Sequence, residues 1–162
     1  MVRIEKQAAH VRVLAWELIS WMRGRYPEML VEIEEYLKFQ NFEHQLDGLL
    51  TYFNPPEGEC LLASEAENPL GIVMLKPYSE KVCEMSRMFV RPEARGKGVG
   101  IALCNQLISR VKDLGYDAMI LSALDNHTEA IALYISLGFV MDDRSGELLA
   151  GDAREIRMRM EF

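Results

Sequence analysis

Arg95-Gly96-Lys97-Gly98-Val99-Gly100 is the stretch of this chain whose residue types and spacing point most directly to chemistry. Closely spaced glycines let a backbone turn sharply and remove the Cβ atoms that would hold an anion away, so successive N–H groups converge on it. The first turn of a following helix adds unpaired N–H groups and the positive end of its dipole. Arg95 and Lys97 supply mobile positive charge. The stretch reads as a binding site for a phosphate-bearing cofactor.

Two competing loops fail by position. A Walker A loop needs Lys directly after its last Gly and then Ser or Thr, whereas Lys97 lies between glycines. A G-x-G-x-x-G fingerprint begun at Gly96 or Gly98 needs glycine where Ile101 or Leu103 stands. Asp125, at the end of the next apolar run, imitates a ribose-binding acid and keeps a dinucleotide reading open. A plain glycine-rich turn is the bland alternative.

The elements that must position this loop follow from periodicity. Apolar residues at Ile4, Ala8, Val11, Ala15, Leu18 and Met22 predict a first helix that stops at Arg23-Gly24, with a short strand at Val2 to Glu5 as an alternative start. Met29 or Leu30, Ile33 and Leu37, and then Phe42, Leu46, Leu49, Leu50 and Phe53, continue the helical period. Asn54-Pro55-Pro56 breaks it. Leu61 to Ala63 and Ile72 to Leu75 are predicted strands joined by a tight turn at Asn68-Pro69-Leu70-Gly71. The strand Val82 to Val90 delivers the chain to the glycine loop, and a helix from Val99 runs to a Gly115 cap. Ala118 to Leu124 is the next strand. Asn126 starts a short helix with Glu129 as capping partner and Leu137-Gly138 as its end. Phe139 to Met141 opens a strand, and Ile156, Met158, Met160 and Phe162 alternate with charges on a half-buried antiparallel one.

At 162 residues the chain has the length of one ordinary domain, 1–162, able to enclose a core without disulfides or metals. Cys60, Cys83 and Cys104 are odd in number and widely spaced, so they read as reduced, buried apolar residues. The cysteines form no C-x-x-C pair, and His10 and His44 show no metal-ligand spacing. The first twenty residues interleave charges with apolar positions and read as an amphipathic helix rather than a signal peptide. With no apolar run long enough to cross a bilayer, the expectation is a cytoplasmic protein without a membrane partner. A formal charge of −7, basic only from Arg87 to Lys97, argues against nucleic acid and suits one small polyanionic cofactor.

The loop matches the Q/R-x-x-G-x-G/A pattern of the GCN5-related N-acetyltransferases, the GNAT superfamily. Glu84-Met85-Ser86-Arg87-Met88-Phe89-Val90-Arg91-Pro92-Glu93 resembles that family's central strand and its exit, and Ala130-Ile131-Ala132-Leu133-Tyr134-Ile135-Ser136-Leu137-Gly138-Phe139 resembles its later A-x-x-L-Y-x-x-L-G-F element. The resemblance covers about residues 58–145. It implies an α/β fold, a mixed and mostly antiparallel sheet flanked by helices, with a helical N-terminal third. Residues 1–53 would form the acceptor side and 58–162 the sheet core. It also implies acetyl-CoA as acyl donor and direct transfer to an amine, on a small molecule or a peptide. A fold of this type without turnover, as a CoA-sensing or interaction module, is the alternative.

In the family the pantetheine arm lies between two splayed strands, here Val82 to Val90 and Ala118 to Leu124. The resemblance therefore assigns cofactor binding to the backbone of Met88, Phe89 and Val90, to Arg95, Gly96, Lys97, Gly98, Val99, Gly100 and Ile101 around the pyrophosphate, and to Asn126 and Tyr134. Tyr134 is the candidate acid for the departing thiolate, against a reading as a core aromatic. Glu84 is the candidate base, against an exposed strand carboxylate or a partner for Arg87. Cys83 reads as core rather than as an acyl carrier, and His127, at a helix start, as a surface residue by default that could also touch substrate. Trp16, Trp21, Tyr26 and Tyr36 would line an acceptor pocket or fill a core. Exposed strands at the sheet edge leave a homodimer open.

Overall fold

The structure, a computed structural model, describes residues 4–49, 53, 55–125, 127–142 and 155–162. Helix α1 spans Ile4–Arg25, and a single 3₁₀ turn, Pro27–Met29, leads into α2, Leu30–Phe39, and then α3, Phe42–Asp47. Ile4 and Glu5 are helical, so a strand over Val2 to Glu5 is ruled out for its last two residues; the first two lie outside the described residues. No helix among the described residues is long and apolar enough to cross a membrane.

Six strands come next among the described residues: β1 Glu59–Glu65, β2 Asn68–Pro77, β3 Val82–Val90, β4 Ala118–Leu124, β5 Val140–Met141 and β6 Glu155–Glu161. They form one sheet in the order β1-β2-β3-β4-β6-β5. Every neighbouring pair is antiparallel except β3 with β4, which are parallel and joined through α4, Val99–Leu114. A parallel pair needs such a crossover, because a hairpin cannot reverse the chain twice. Helix α5, Thr128–Leu137, connects β4 to β5.

Both faces of the sheet are covered, and β2 records this directly. Ile72 and Met74 point into a core shared with α1, α2, α3 and Phe53, while Val73 and Leu75 point into a core shared with α4, α5 and Met158. All four are fully buried, so a run of consecutive apolar residues serves alternating faces.

The first hairpin turns elsewhere than at Asn68-Pro69-Leu70-Gly71. Those residues lie in β2, and the turn is Ala66-Glu67, with Glu65 opposite Asn68. Ala66 adopts the left-handed conformation (φ 54°) that such a two-residue loop demands. Pro69 is tolerated inside the sheet because the register slips there: Ala63 faces Gly71 and Ser64 faces Pro69, leaving Leu70 as a bulge. Gly71 is needed for close approach rather than for turning. A Cβ on it would stand 2.7 Å from the Phe89 carbonyl oxygen.

Candidate active site

The parallel pairing of β3 and β4 covers only Val82, Cys83 and Glu84 against Ala118, Met119 and Ile120. Beyond Glu84 the strands continue to Val90 and Leu124 without pairing to each other, so a gap opens in the middle of the sheet. Its backbone groups are hydrogen-bonding sites in search of partners. Alternation along β3 decides which they are. The Arg91 N–H donates to the Leu70 carbonyl at 2.9 Å, and the Phe89 carbonyl faces Gly71, so both residues direct their backbone at β2. Val90, between them, directs its own at the gap, where its carbonyl accepts from Arg95 Nε at 2.9 Å. Of the expected backbone positions Met88, Phe89 and Val90, Val90 directs its groups at the gap, whereas Phe89 is engaged within the sheet and lends an apolar side chain.

At the end of β3 a 3₁₀ turn, Pro92–Ala94, leads into the glycine loop. Ala94 is buried and anchors the turn, while Arg95, Gly96, Lys97 and Gly98 are exposed. Gly98 (φ 82°) immediately precedes α4 in a conformation that L residues rarely adopt. The first helical hydrogen bond runs from Ala102 N–H to the Gly98 carbonyl, so the N–H groups of Val99, Gly100 and Ile101 have no helical acceptor. Unpaired N–H groups at the start of a sixteen-residue helix are the kind of donors an anion accepts from. The Arg95 guanidinium leans over Trp21, 4.6 Å from the ring centroid.

On the face carrying α4 and α5, Gly100 lets three elements meet: a Cβ there would lie 3.1 Å from Met88 Cε and 3.6 Å from Leu133 Cδ2. Met88 and Leu133 thereby tie β3 and α5 to the start of α4. Tyr134, the next residue, is 6% exposed and meets Phe139 edge-on at 6.0 Å. Burial raises its pKa, and Cys104 adds to the rise, so the phenol stays protonated. The thiols of Cys60, Cys83 and Cys104 are likewise buried and pushed up to about 12.

The opposite face belongs to α1, α2 and α3. Glu84 pairs with Lys76, its cross-strand neighbour on β2, at 3.8 Å; it is neither an exposed strand carboxylate nor the direct partner of Arg87. Lys76 also donates to Gln40, just beyond α2. Tyr36 of α2 is more exposed, yet burial raises its hydroxyl's pKa, with Arg87 opposing and with Glu84 and Glu155 reinforcing the rise. These groups therefore cluster around one place.

Arg87 reaches this face because β3 carries an extra residue. Cys83 and Met85 belong to the α4 and α5 core, and strict alternation would send Arg87 and Phe89 there too. Instead Ile72 faces Phe89 and Met74 faces Ser86, so Arg87 and Met88 together oppose Val73. Arg87 takes up a left-handed φ of 50°, which marks a bulge that re-aims the residues after it. Phe89 joins the α1 core and Met88 the other. Sequence reasoning passes over Arg87 as a site residue. Its signal is a lone charge in the series Cys83, Met85, Arg87, Phe89.

Helix α1 is clamped across the end of the gap. Arg91 donates to both carboxylate oxygens of Glu17, at 2.8 and 2.7 Å, and to the Pro69 carbonyl. Trp21 and the buried Tyr26 pack against His127, ring centroids 5.1 and 6.4 Å away. His127 is thus half-buried rather than a surface residue, and burial lowers its pKa. Held in a non-helical conformation (φ −86°, ψ 68°), it delays α5 to Thr128. His127, at the N-cap position, makes no side-chain capping hydrogen bond, while the Glu129 carboxylate accepts from its own backbone N–H in the first turn, which lowers its pKa. Asn126 itself lies outside the described residues.

Residues 14–139 match the Acetyltransferase (GNAT) family. The chain belongs to that family. It is 39% identical over 114 residues to an uncharacterised N-acetyltransferase of Schizosaccharomyces pombe, covering 69% of this chain and 70% of the relative. Its fold superposes on an acetyltransferase of Streptococcus agalactiae with a TM-score of 0.73 at 15% identity, over 93% of this chain and 90% of that one. A Thermoplasma acidophilum PaiA N-acetyltransferase in complex with coenzyme A gives 0.68 at 19% identity, over 97% and 94%. As a GNAT protein the chain is an acyl-CoA-dependent N-acetyltransferase, and acetyl-CoA is its donor.

Proposed function

We propose that this GNAT protein transfers the acetyl group to a primary amine by direct attack in a ternary complex, with donor and acceptor meeting through the gap between β3 and β4. The observation that carries this reading is the placement of the anion-binding start of α4 at one end of that gap and of Glu84 where it opens. Arg95, Gly96, Lys97, Gly98 and the N–H groups of Val99, Gly100 and Ile101 take the pyrophosphate. Met88, Val90, Asn126 and Tyr134 accompany the arm.

An amine attacks only as the free base. Glu84, through a water, takes the ammonium's proton. The nitrogen lone pair forms the new C–N bond, and the Val90 N–H steadies the tetrahedral oxyanion. As the C–S bond breaks, Tyr134 gives its proton to the thiolate, and the nitrogen's remaining extra proton returns to solvent. Thiols pushed up to about 12 hold no thiolate at neutral pH, which favours direct attack over an acyl-cysteine route.

Calorimetry with acetyl-CoA, with NADH and ATP as controls, tests the donor site. Gly98→Val is expected to abolish binding, since a β-branched residue does not tolerate that φ; tight binding by this variant would sink the assignment. Tyr134→Phe should lose about a hundredfold in kcat without weakening acetyl-CoA. Acetyl-CoA binding without thiol release from any amine would turn the reading toward a CoA-sensing module.

A further inference from the structure

Among the described residues Arg87 is a cation without a counter-ion in contact. It is 7% exposed, and a buried guanidinium is normally paired, because desolvation penalises an isolated charge heavily. Its hydrogen bonds are to the Gln45 amide oxygen and, weakly at 3.9 Å, to the Met74 sulfur. The rings of Phe42 and Phe53 stack on it with centroids 4.6 and 5.3 Å away. They shield the charge from water without neutralising it. Its Nε has no hydrogen-bond partner among the described residues, and neither has the buried hydroxyl of half-buried Ser86 beside it. A strained, positive-φ backbone aims the side chain here, and strain of that kind collects at functional sites.

We propose that Arg87 holds the carboxylate of the acceptor, so that the amine this enzyme acetylates carries its own carboxylate, as an amino acid does. The proposal rests on the acetyl-transfer reading above and names the substrate class of that same site. Arg87 follows Glu84 by three residues on the stretch of β3 that borders the gap, and both face α2 and α3, away from α4 and α5. One carboxylate oxygen takes the free Nε–H, and the other takes the Ser86 hydroxyl. A planar guanidinium matches such a ligand better than an ammonium would. A doubly charged phosphate fits less well, because Glu84 and Glu155 already place negative charge around Tyr36 beside Arg87. The ligand's ammonium group meets the Glu84 carboxylate in competition with Lys76. A zwitterion thus meets a site with both signs in place.

The test measures thiol release from acetyl-CoA by the purified protein with matched pairs: phenylalanine and phenethylamine, histidine and histamine, lysine and cadaverine. Calorimetry of acetyl-CoA alone runs in parallel. At least one amino acid should exceed its decarboxylated partner about a hundredfold in kcat/KM, and Arg87→Met should raise the KM for that amino acid by a similar factor. The variant's acetyl-CoA affinity should stay at the parent value, which also shows that it has folded. Should Arg87→Met not fold, Arg87→Lys and Ser86→Ala are each expected to raise the same KM about tenfold. Preference for the decarboxylated amines, no turnover of any amino acid, or an unchanged KM in folded variants would overturn the proposal while leaving acetyl transfer standing. Failure of the parent protein to bind acetyl-CoA would instead overturn the reading beneath it, and this one with it.

Discussion

Glu59 and Arg87 are both more than nine-tenths buried, on opposite faces of one sheet, yet their surroundings differ in kind. Glu59, on the α4 side, accepts from Arg110 Nε at 3.0 Å and from the Cys60 N–H at 3.1 Å. Its charge is answered within the fold. Arg87, on the side of α1, α2 and α3, is answered by an amide oxygen, a sulfur and two rings. One face is therefore finished as a folding unit, whereas the other keeps an electrostatic debt that a ligand can settle.

The largest effect expected from this contrast is on stability. Arg110→Ala strands the Glu59 carboxylate in the core and should cost about 3 kcal/mol, the lower end for breaking a buried pair because Arg110 is partly exposed. Arg87→Met removes a charge that has no ionic partner among the described residues and replaces it with an apolar chain of similar length. It should leave stability within about 1 kcal/mol of the parent or raise it. Urea unfolding of the two variants measures both. Equal losses would mean that Arg87 is as fully satisfied as Glu59, and the comparison would fail.

A second, smaller effect separates the paired part of the sheet from the open part. Gly71→Ala pushes a methyl group into the Phe89 carbonyl, so β2 and β3 must part where they currently touch. The expected loss is about 2 kcal/mol, or roughly 6 °C in Tm for a chain of this size. Gly100→Ala comes tightly only against the movable end of Met88, at 3.1 Å, with Leu133 and Val90 at ordinary contact distance, and its loss should be well under half of that. Its effect should appear instead in acetyl-CoA affinity. Calorimetric melts of both variants, each with and without acetyl-CoA, distinguish the two roles.

The finished face is also the legible one. The strand Val82 to Val90, the helix from Val99, its Gly115 end and the strand Ala118 to Leu124 all follow from local rules: period two, period 3.6, and glycine where φ turns positive. The glycine loop is equally local, since six consecutive residues carry the whole expectation. Glu84 and Arg87 are different. Which way Arg87 points depends on one inserted residue opposite Val73, a property of the β2–β3 pairing that neither strand reveals alone. The displaced hairpin turn has the same origin. Asn68-Pro69-Leu70-Gly71 has turn composition, but pairing absorbs it as a bulge, and Ala66 turns the chain without the glycine that would announce it. His127 reads as a surface residue in sequence for a related reason: Trp21 and Tyr26, a hundred positions earlier, cover it.

His127 supplies the smallest effect and a probe of the seam where α1 crosses the gap. Burial lowers its pKa from the ordinary 6.5; Arg95 and Arg25 lower it further, and Glu129 partly offsets them. The unfolded chain therefore takes up this proton at a higher pH than the folded one. Stability from this residue is complete above pH 6.5 and is lost as pH falls through its lowered folded pKa. Melting temperature should decline over that interval, and His127→Gln should flatten the decline. When acetyl-CoA is bound, its phosphates should draw Arg95 off the Trp21 ring and remove one of the cations that oppose protonation of His127. The folded pKa then moves back toward that of the unfolded chain, so the decline in Tm should be shallower with the donor than without it. An equal decline in both cases would mean that Arg95 stays on Trp21 and takes no part in holding the pyrophosphate.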